Sequence, residues 1–343
     1  MKRLAVAIAA LALAGCPAED KPSPVTPTDA GPDAPAEASW RTVLKDLDGA
    51  LLGVWGASEK DVWAVGGSLG NGLPSLVVRF DGTTWKRVSP GGNDSFWWVH
   101  GASANDVWLV GEKGRATRWD GAAFTETTTG TTDTLYGAIA FAADDVWAVG
   151  GIPEQSNVVL HWDGAAWKPE AIGEQGKLAF FKVWGTSKDD LWVVGEQGTI
   201  WHRAGGAWTK TGAGLTIDRL TTVNGCSASE VYAVGARTLL TWNGQAWSKS
   251  SQLLVNDVNG VSCRDGKAVI VGGGSLKLRL VSGAWEDDFG TEPFTDLHAT
   301  WIDPTGAFWA VGGNFNASPK AGATRGGVVA RYAKDAVSGV LLP

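Results

Sequence analysis

Carboxylates stand side by side at Asp144–Asp145, Asp189–Asp190 and Glu286–Asp287–Asp288. Two carboxylates facing each other across about 5–9 Å would hydrolyse a glycosidic bond. Adjacent residues of a strand, however, point to opposite faces. The first two pairs also fall where a polar turn enters a strand, a place where Asp serves the turn itself. The four histidines stand apart at His100, His161, His202 and His298. His161 and His202 occupy a slot that holds Arg79, Arg118, Thr241, Arg279 or Arg331 elsewhere, so it reads as structural rather than metal-ligating. There is no D-x-D-x-D-G calcium loop, no H-E-x-x-H pair and no Gly-rich phosphate loop between strand and helix. The residues therefore predict no catalytic group, no metal and no cofactor.

The elements that carry these residues repeat. "DVWAVGG" from Asp61 returns as "DVWLVGE" (Asp106), "DVWAVGG" (Asp145), "DLWVVGE" (Asp190), "EVYAVGA" (Glu230), "KAVIVGG" (Lys267) and "AFWAVGG" (Ala307). Measured between Trp63, Trp108, Trp147, Trp192, Tyr232, Val269 and Trp309, the steps are 45, 39, 45, 40, 37 and 40 residues. That is the length of a four-stranded propeller blade. Each unit holds an apolar strand such as "LLGVWG", a polar turn, the repeated strand, a Gly-rich turn, a third strand such as "VVLHWDG", and a last piece such as "AAWKPE". Asp-Gly and Asn-Gly supply the positive-φ residues of tight turns. One such blade cannot bury both faces, whereas a closed ring can. The 47 glycines and 20 tryptophans in 343 residues fit a turn-rich, all-β chain that is 44% hydrophobic. A net charge of −7 leaves no footprint for nucleic acid, whose phosphates need clustered Lys and Arg.

The seventh unit ends at "VVARYAKD" (328–335) with no W-containing strand after it. Its missing piece matches "ASWRTVL" (38–44) at the other end of the domain. The expectation is an all-β, seven-bladed propeller over 39–343, closed by an N-terminal strand that completes the last blade. The D-V-W-A-V-G and W-D-G-x-x-W motifs resemble the bacterial WD40/YVTN/BNR-like propeller superfamily. Sialidases with BNR repeats imply a Tyr–Glu nucleophile pair. Here Tyr136, Tyr232 and Tyr332 each align with structural positions of other units, so none reads as a spare phenol.

One slot near the end of the first strand varies while the residue before it stays apolar. It reads Trp55, His100, Ile139, Trp184, Asn224, Asn259 and Trp301. First strands of propellers line the central channel. The polar and aromatic members Trp55, His100, Trp184, Asn224, Asn259 and Trp301 are therefore a candidate ligand ring, with inter-blade packing as the competing role. Cys226 and Cys263 sit near equivalent positions of units five and six. As an even pair in an exported chain they read as a disulfide between adjacent blades, with two buried thiols as the alternative.

Residues 1–15 combine Lys2 and Arg3 with an apolar run too short to span a bilayer, the pattern of a signal peptide. Leu13-Ala14-Gly15-Cys16 resembles the bacterial lipobox, which implies cleavage before Cys16 and its lipidation. Residues 16–38, with six prolines, read as a disordered tether. The expected protein is an exported lipoprotein, membrane-bound through Cys16 and placed at the outer membrane. It binds an envelope protein as a non-enzymatic scaffold; the alternative is a carbohydrate binder or glycoside hydrolase. In a bacterial host fed labelled palmitate, the chain is expected to take up label, and Cys16→Ser to abolish it. Equal labelling of both would refute lipidation at this thiol.

Overall fold

The repeated strand dictates the architecture because both of its faces are apolar. In the computed structural model, which describes residues 37–68, 73–173, 176–252, 254–315 and 326–343, Val62, Trp63, Ala64 and Val65 are all completely buried. Val62 and Ala64 pack with Trp309 and Val311 of the preceding blade, while Trp63 and Val65 pack with Phe96 and Leu109 of the next. The alternation of a strand thus feeds two interfaces at once. The signal segment, Cys16 and nearly all of the tether lie outside the described residues.

Seven antiparallel sheets follow one another along the chain, and no α-helix occurs among the described residues. Their first strands are Leu51–Ser58, Phe96–Ser103, Thr134–Ala142, Phe180–Ser187, Thr222–Ser227, Val258–Arg264 and Leu297–Ile302. Each first strand touches the next, and the last touches the first, so the ring is closed around a central channel. The W-D-G-x-x-W segments are Asx turns. Asp81 Oδ1 accepts from the backbone N–H of Thr83 and Thr84, and Asp120, Asp163 and Asn243 repeat this two and three residues on. Gly82, at φ +89°, supplies the left-handed residue that the turn requires.

The closing strand is where the sequence places it. Ser39–Leu47 pairs antiparallel with Gly327–Ala333, and Trp40 faces Tyr332 as Trp85 faces Phe80 in blade one. Buried Trp40 also donates from Nε1 to Asp288 Oδ2 of blade six at 2.9 Å. A second closure has no repeat signal to announce it. Leu341–Leu342 adds a parallel fifth strand outside Trp85–Arg87, where Trp85 N donates to Val340 O. The chain's end thereby covers an outer sheet edge that would otherwise be open.

Replacing Trp40 with Ala removes a buried indole at the seam and should cost about 3–5 kcal/mol. Leu341→Ala, on a partly exposed two-residue strand, should cost under about 1 kcal/mol. Urea unfolding midpoints measure both; a Trp40→Ala cost no larger than that of Leu341→Ala would refute the seam as a principal element of ring stability.

Candidate functional site

Most of the residues with chemical potential are tied to the repeat. Arg79 lies over the Trp63 ring, 4.7 Å from its centroid, and bonds Asp61 at 2.7 Å. Blade two repeats this with Arg118, Trp108 and Asp106. In blades three and four the stacked cation slot holds histidine instead. His161 stacks on Trp147 and lies 2.9 Å from Asp145; His202 stacks on Trp192 at 3.7 Å and lies 2.7 Å from Asp190. The Asp of D-V-W thus holds either an arginine or a histidine against the strand's Trp. In blade six Arg279 is paired instead with Asp288. The adjacent carboxylates of the sequence therefore serve turns and these pairs.

The variable first-strand slot is a set of joints between blades. Pairing registers put Trp55, His100, Ile139, Trp184, Asn224, Ser262 and Trp301 opposite the repeat position. Asn259 does not belong to this ring; Ser262 takes its place. Gly260 looks like the glycine that follows Trp55 or Asn224, but its pairing with Val271 makes it the equivalent of Gly53 and Gly137. Each of the three ring tryptophans lies on a glycine of the following blade. A Cβ on Gly56, Gly101 or Gly225 would stand 2.6, 2.6 or 2.5 Å from the indole of Trp301, Trp55 or Trp184. Where the seat has a side chain, the ring residue is polar and accepts its backbone N–H. Ala140 N donates to His100 Nδ1 at 3.1 Å, Cys263 N to Asn224 Oδ1 at 2.8 Å, and Ile302 N to Ser262 Oγ at 3.2 Å. Burial holds the His100 pKa down to about 4, so near pH 7 the ring is neutral and Nδ1 keeps the lone pair that this joint uses. These side chains bound a recess of about 160 Å³ at the end where the first strands finish.

The opposite mouth is wider, about 350 Å³, and is built by the bulges. Six first strands carry a register shift near their start, and blade five begins its paired strand just after the equivalent residue. A bulge turns one side chain out of the ladder. The residues turned out are Leu52, Trp97, Tyr136, Phe181, Thr221, Asn259 and His298, and all seven line this mouth. Trp97, Tyr136 and Phe181 form a continuous arc with centroids 4.9 and 5.1 Å apart, extended by Phe315 at 5.1 Å from Trp97. Arg219 stands on the rim with its guanidinium 5.6 Å from the Phe181 centroid. Tyr136 therefore has a wall of the channel as its place, a correction to its reading as purely structural. The sequence does show that Leu52, Trp97, Tyr136 and Phe181 share a slot; what it hides is that the slot faces the channel.

Between the two recesses lies a waist, and Lys182 belongs to it. Lys182 takes the register position of Gly53, Trp98, Gly137, Thr222, Gly260 and Ala299. The glycine before it in the ring, Gly137, leaves room for its stem: a Cβ there would lie 3.2 Å from Lys182 Cδ. Its Nζ lies over the Trp98 ring and donates to Tyr136 O at 3.1 Å. Burial pushes this ammonium well below the usual lysine range. Nothing in the sequence distinguishes Lys182 from a surface lysine, because only the neighbouring glycines make its burial tolerable.

Cys226 and Cys263 are joined by a disulfide between blades five and six, with Cα atoms 4.8 Å apart. Among the described residues, the one group of three potential metal ligands is Cys226, Glu230 and Cys263, and the disulfide occupies both of its sulfurs. No Asp or Glu among the described residues lines either channel recess.

No family model and no curated protein matches this chain. Solved structures do. A streptogramin B lyase superposes with a TM-score of 0.69 at 12% identity, over 86% of this chain and 97% of that one. The WD40 propeller domain of Doa1 gives 0.66 at 11%, over 87% and 98%. YCF48 in complex with a D1 peptide gives 0.64 at 14%, over 88% and 100%. At these identities the likeness is one of fold alone.

Gly225→Ala should destabilise the domain by about 1–3 kcal/mol, because the new methyl meets the Trp184 indole. Adding Trp184→Leu to it should recover part of that loss, giving a non-additive double-mutant cycle in chemical denaturation. Strict additivity would show that the indole does not seat on this glycine.

Proposed function

We propose that this chain is a non-enzymatic binding module of the bacterial envelope, presenting its wide channel mouth to a segment of a partner protein. The observation that carries the reading is the arc of Trp97, Tyr136, Phe181 and Phe315 around a recess of about 350 Å³. Large, rigid aromatic faces with polar neighbours are what protein-binding hot spots are made of. At this mouth Arg219 stands beside the arc, while Asn259 and Thr221 complete the lining with side chains that donate to backbone carbonyls. That YCF48, of similar fold, was solved bound to a peptide is consistent with the same use of a propeller here. A glycoside hydrolase is less well supported, since hydrolysis needs paired carboxylates and the described lining offers none.

The basic and apolar start of the chain, Cys16 and the proline-rich segment after it support anchoring by lipid at the outer membrane. A tether of that kind would hold the propeller off the bilayer within reach of envelope proteins.

Capture from detergent-solubilised envelope tests the reading. A protein should be recovered by the wild-type chain, and recovery should fall about ten-fold or more with Tyr136→Ala or Phe181→Ala. Lys86→Ala, on the outer edge of blade one, should leave it unchanged. Recovery of polysaccharide alone, or of protein equally by all four baits, would sink the proposal.

A further inference from the structure

We infer that the floor of the wide mouth is an anion site, in which Lys182 binds a carboxylate carried beside an aromatic or apolar group. The inference deepens the binding reading above by naming the chemistry of what enters the mouth.

Three observations meet at this side chain. First, Lys182 is only 7% exposed, yet it is the one charged residue that lines both recesses among the described residues. Its ammonium has three N–H groups and one oxygen partner, the Tyr136 carbonyl, the rest of its surroundings being the face of Trp98. Lys277 shows what a structural buried lysine looks like in the same fold. Its Nζ lies within 3.1 Å of four oxygens, on Ser275, Thr291 and Pro293. A buried ammonium left short of partners is costly, and a bound carboxylate would supply both the missing acceptors and the counter-charge.

Second, the charges around the channel have one sign. The chain as a whole carries −7, but the charged side chains of the described lining are Lys182, Arg219 and Arg264, with no carboxylate among them; burial holds His100 and His298 toward their neutral forms. Glu154, Glu196 and Asp257 lie with Arg219 in the next depression along the rim rather than on the floor. Glu196 there is occupied, accepting from the backbone N–H of Ala179 and Glu154. With no carboxylate on the described lining and the ammonium itself buried, the attraction of an anion to it is less screened than at the surface.

Third, the walls select the rest of the ligand. The arc of Trp97, Tyr136 and Phe181 stands above Lys182, and Tyr136 supplies both a wall face and the carbonyl that fixes the ammonium. A singly charged carboxylate matches one ammonium, and its aromatic or aliphatic neighbour matches the arc. Burial holds the lysine low, and a bound carboxylate would favour its charged form. The carboxylate can belong to a chain terminus or to a free acid.

Calorimetry on the full chain in detergent tests this with defined probes. The probes are 3-phenylpropionate, acetyl-Gly-Gly-Phe with a free terminal carboxylate, the neutral amides of both, and inorganic phosphate. At least one acid should bind roughly ten-fold or more tightly than its amide, as expected for a charge-assisted pair. Lys182→Met should remove that preference and Lys182→Arg should retain it. In wild type, the bound acid should slow acetylation of Lys182, read by mass spectrometry, a readout that stands even if Lys182→Met fails to fold. The tighter of the two acids assigns the source of the carboxylate. Acid and amide binding alike, phosphate binding more tightly than either acid, or acetylation of Lys182 unchanged by bound acid would overturn the site. Because the probes are small, it fails or stands separately from capture of a partner protein.

Discussion

The ring depends on one contact made over and over: the tryptophan of the second strand, clamped between its own blade and the next. Trp63 meets Trp119 and Phe124, Trp108 meets Trp162 and Trp167, Trp192 meets Trp242 and Trp247, and Trp309 meets Phe80 and Trp85 across the seam. Ring centroids 5–6 Å apart in tilted or edge-on pairs are favourable geometries for aromatic side chains. Trp63, Trp108, Trp147 and Trp192 also carry the Arg or His that their strand's Asp contacts, and Arg331 lies over Trp309. Blade five keeps the contact with Tyr232 in place of Trp, against Trp285 at 5.8 Å, and it fails at blade six, where Val269 replaces the aromatic ring. There Val269 belongs to the cluster that includes Trp40, Phe308 and Tyr332, so the closing strand brings its own indole to the weakest joint.

This division of labour fixes where variation is tolerated. Second strands have both faces committed to neighbours, and third and fourth strands supply the aromatics for the clamp. First strands are committed at their far ends, where indole-on-glycine and side-chain-to-backbone joints hold adjacent blades. Their starts are different. A bulge takes one residue out of the ladder and points it into the channel mouth, where its side chain packs on other neighbours or, like Asn259, reaches a carbonyl of the next blade. Leu, Trp, Tyr, Phe, Thr, Asn and His fill those seven places. Such a range of chemistry is compatible with the fold only where packing does not dictate the residue.

The ring itself was legible in the sequence because it is written in period and alternation. Seven spaced copies of one strand gave the blade count, and an orphan W-containing strand at residues 38–44 gave the closure. Cysteines near equivalent positions of units five and six pointed to the bridge that joins Cys226 and Cys263. The channel was not legible to the same degree, because its lining is set by register and a bulge shifts register by one. Asn259-Gly260 mimics Asn224-Gly225, yet it sits three residues earlier in the ladder, since Ser262 faces Val269 just as Asn224 faces Tyr232. Leu341–Leu342 escaped for another reason: two residues carry no period.

Lys182 shows why a site can be invisible in a repeat protein even when the repeat is plain. Its slot holds glycine in three blades, alanine, threonine and tryptophan in three others, and lysine once. The small members are the condition for the large ones. The glycine of blade one lies against Trp98 of blade two, and that of blade three against Lys182 of blade four. A waist built of alternating gaps and fillers can be closed by apolar side chains alone, as Trp98 does on its side. Placing an amine there instead forfeits packing and leaves a charge short of partners. A fold whose other lysine in the core is ringed by four oxygens evidently has the means to satisfy an ammonium internally. At Lys182 the protein supplies one oxygen and the face of Trp98, at the floor of an open mouth.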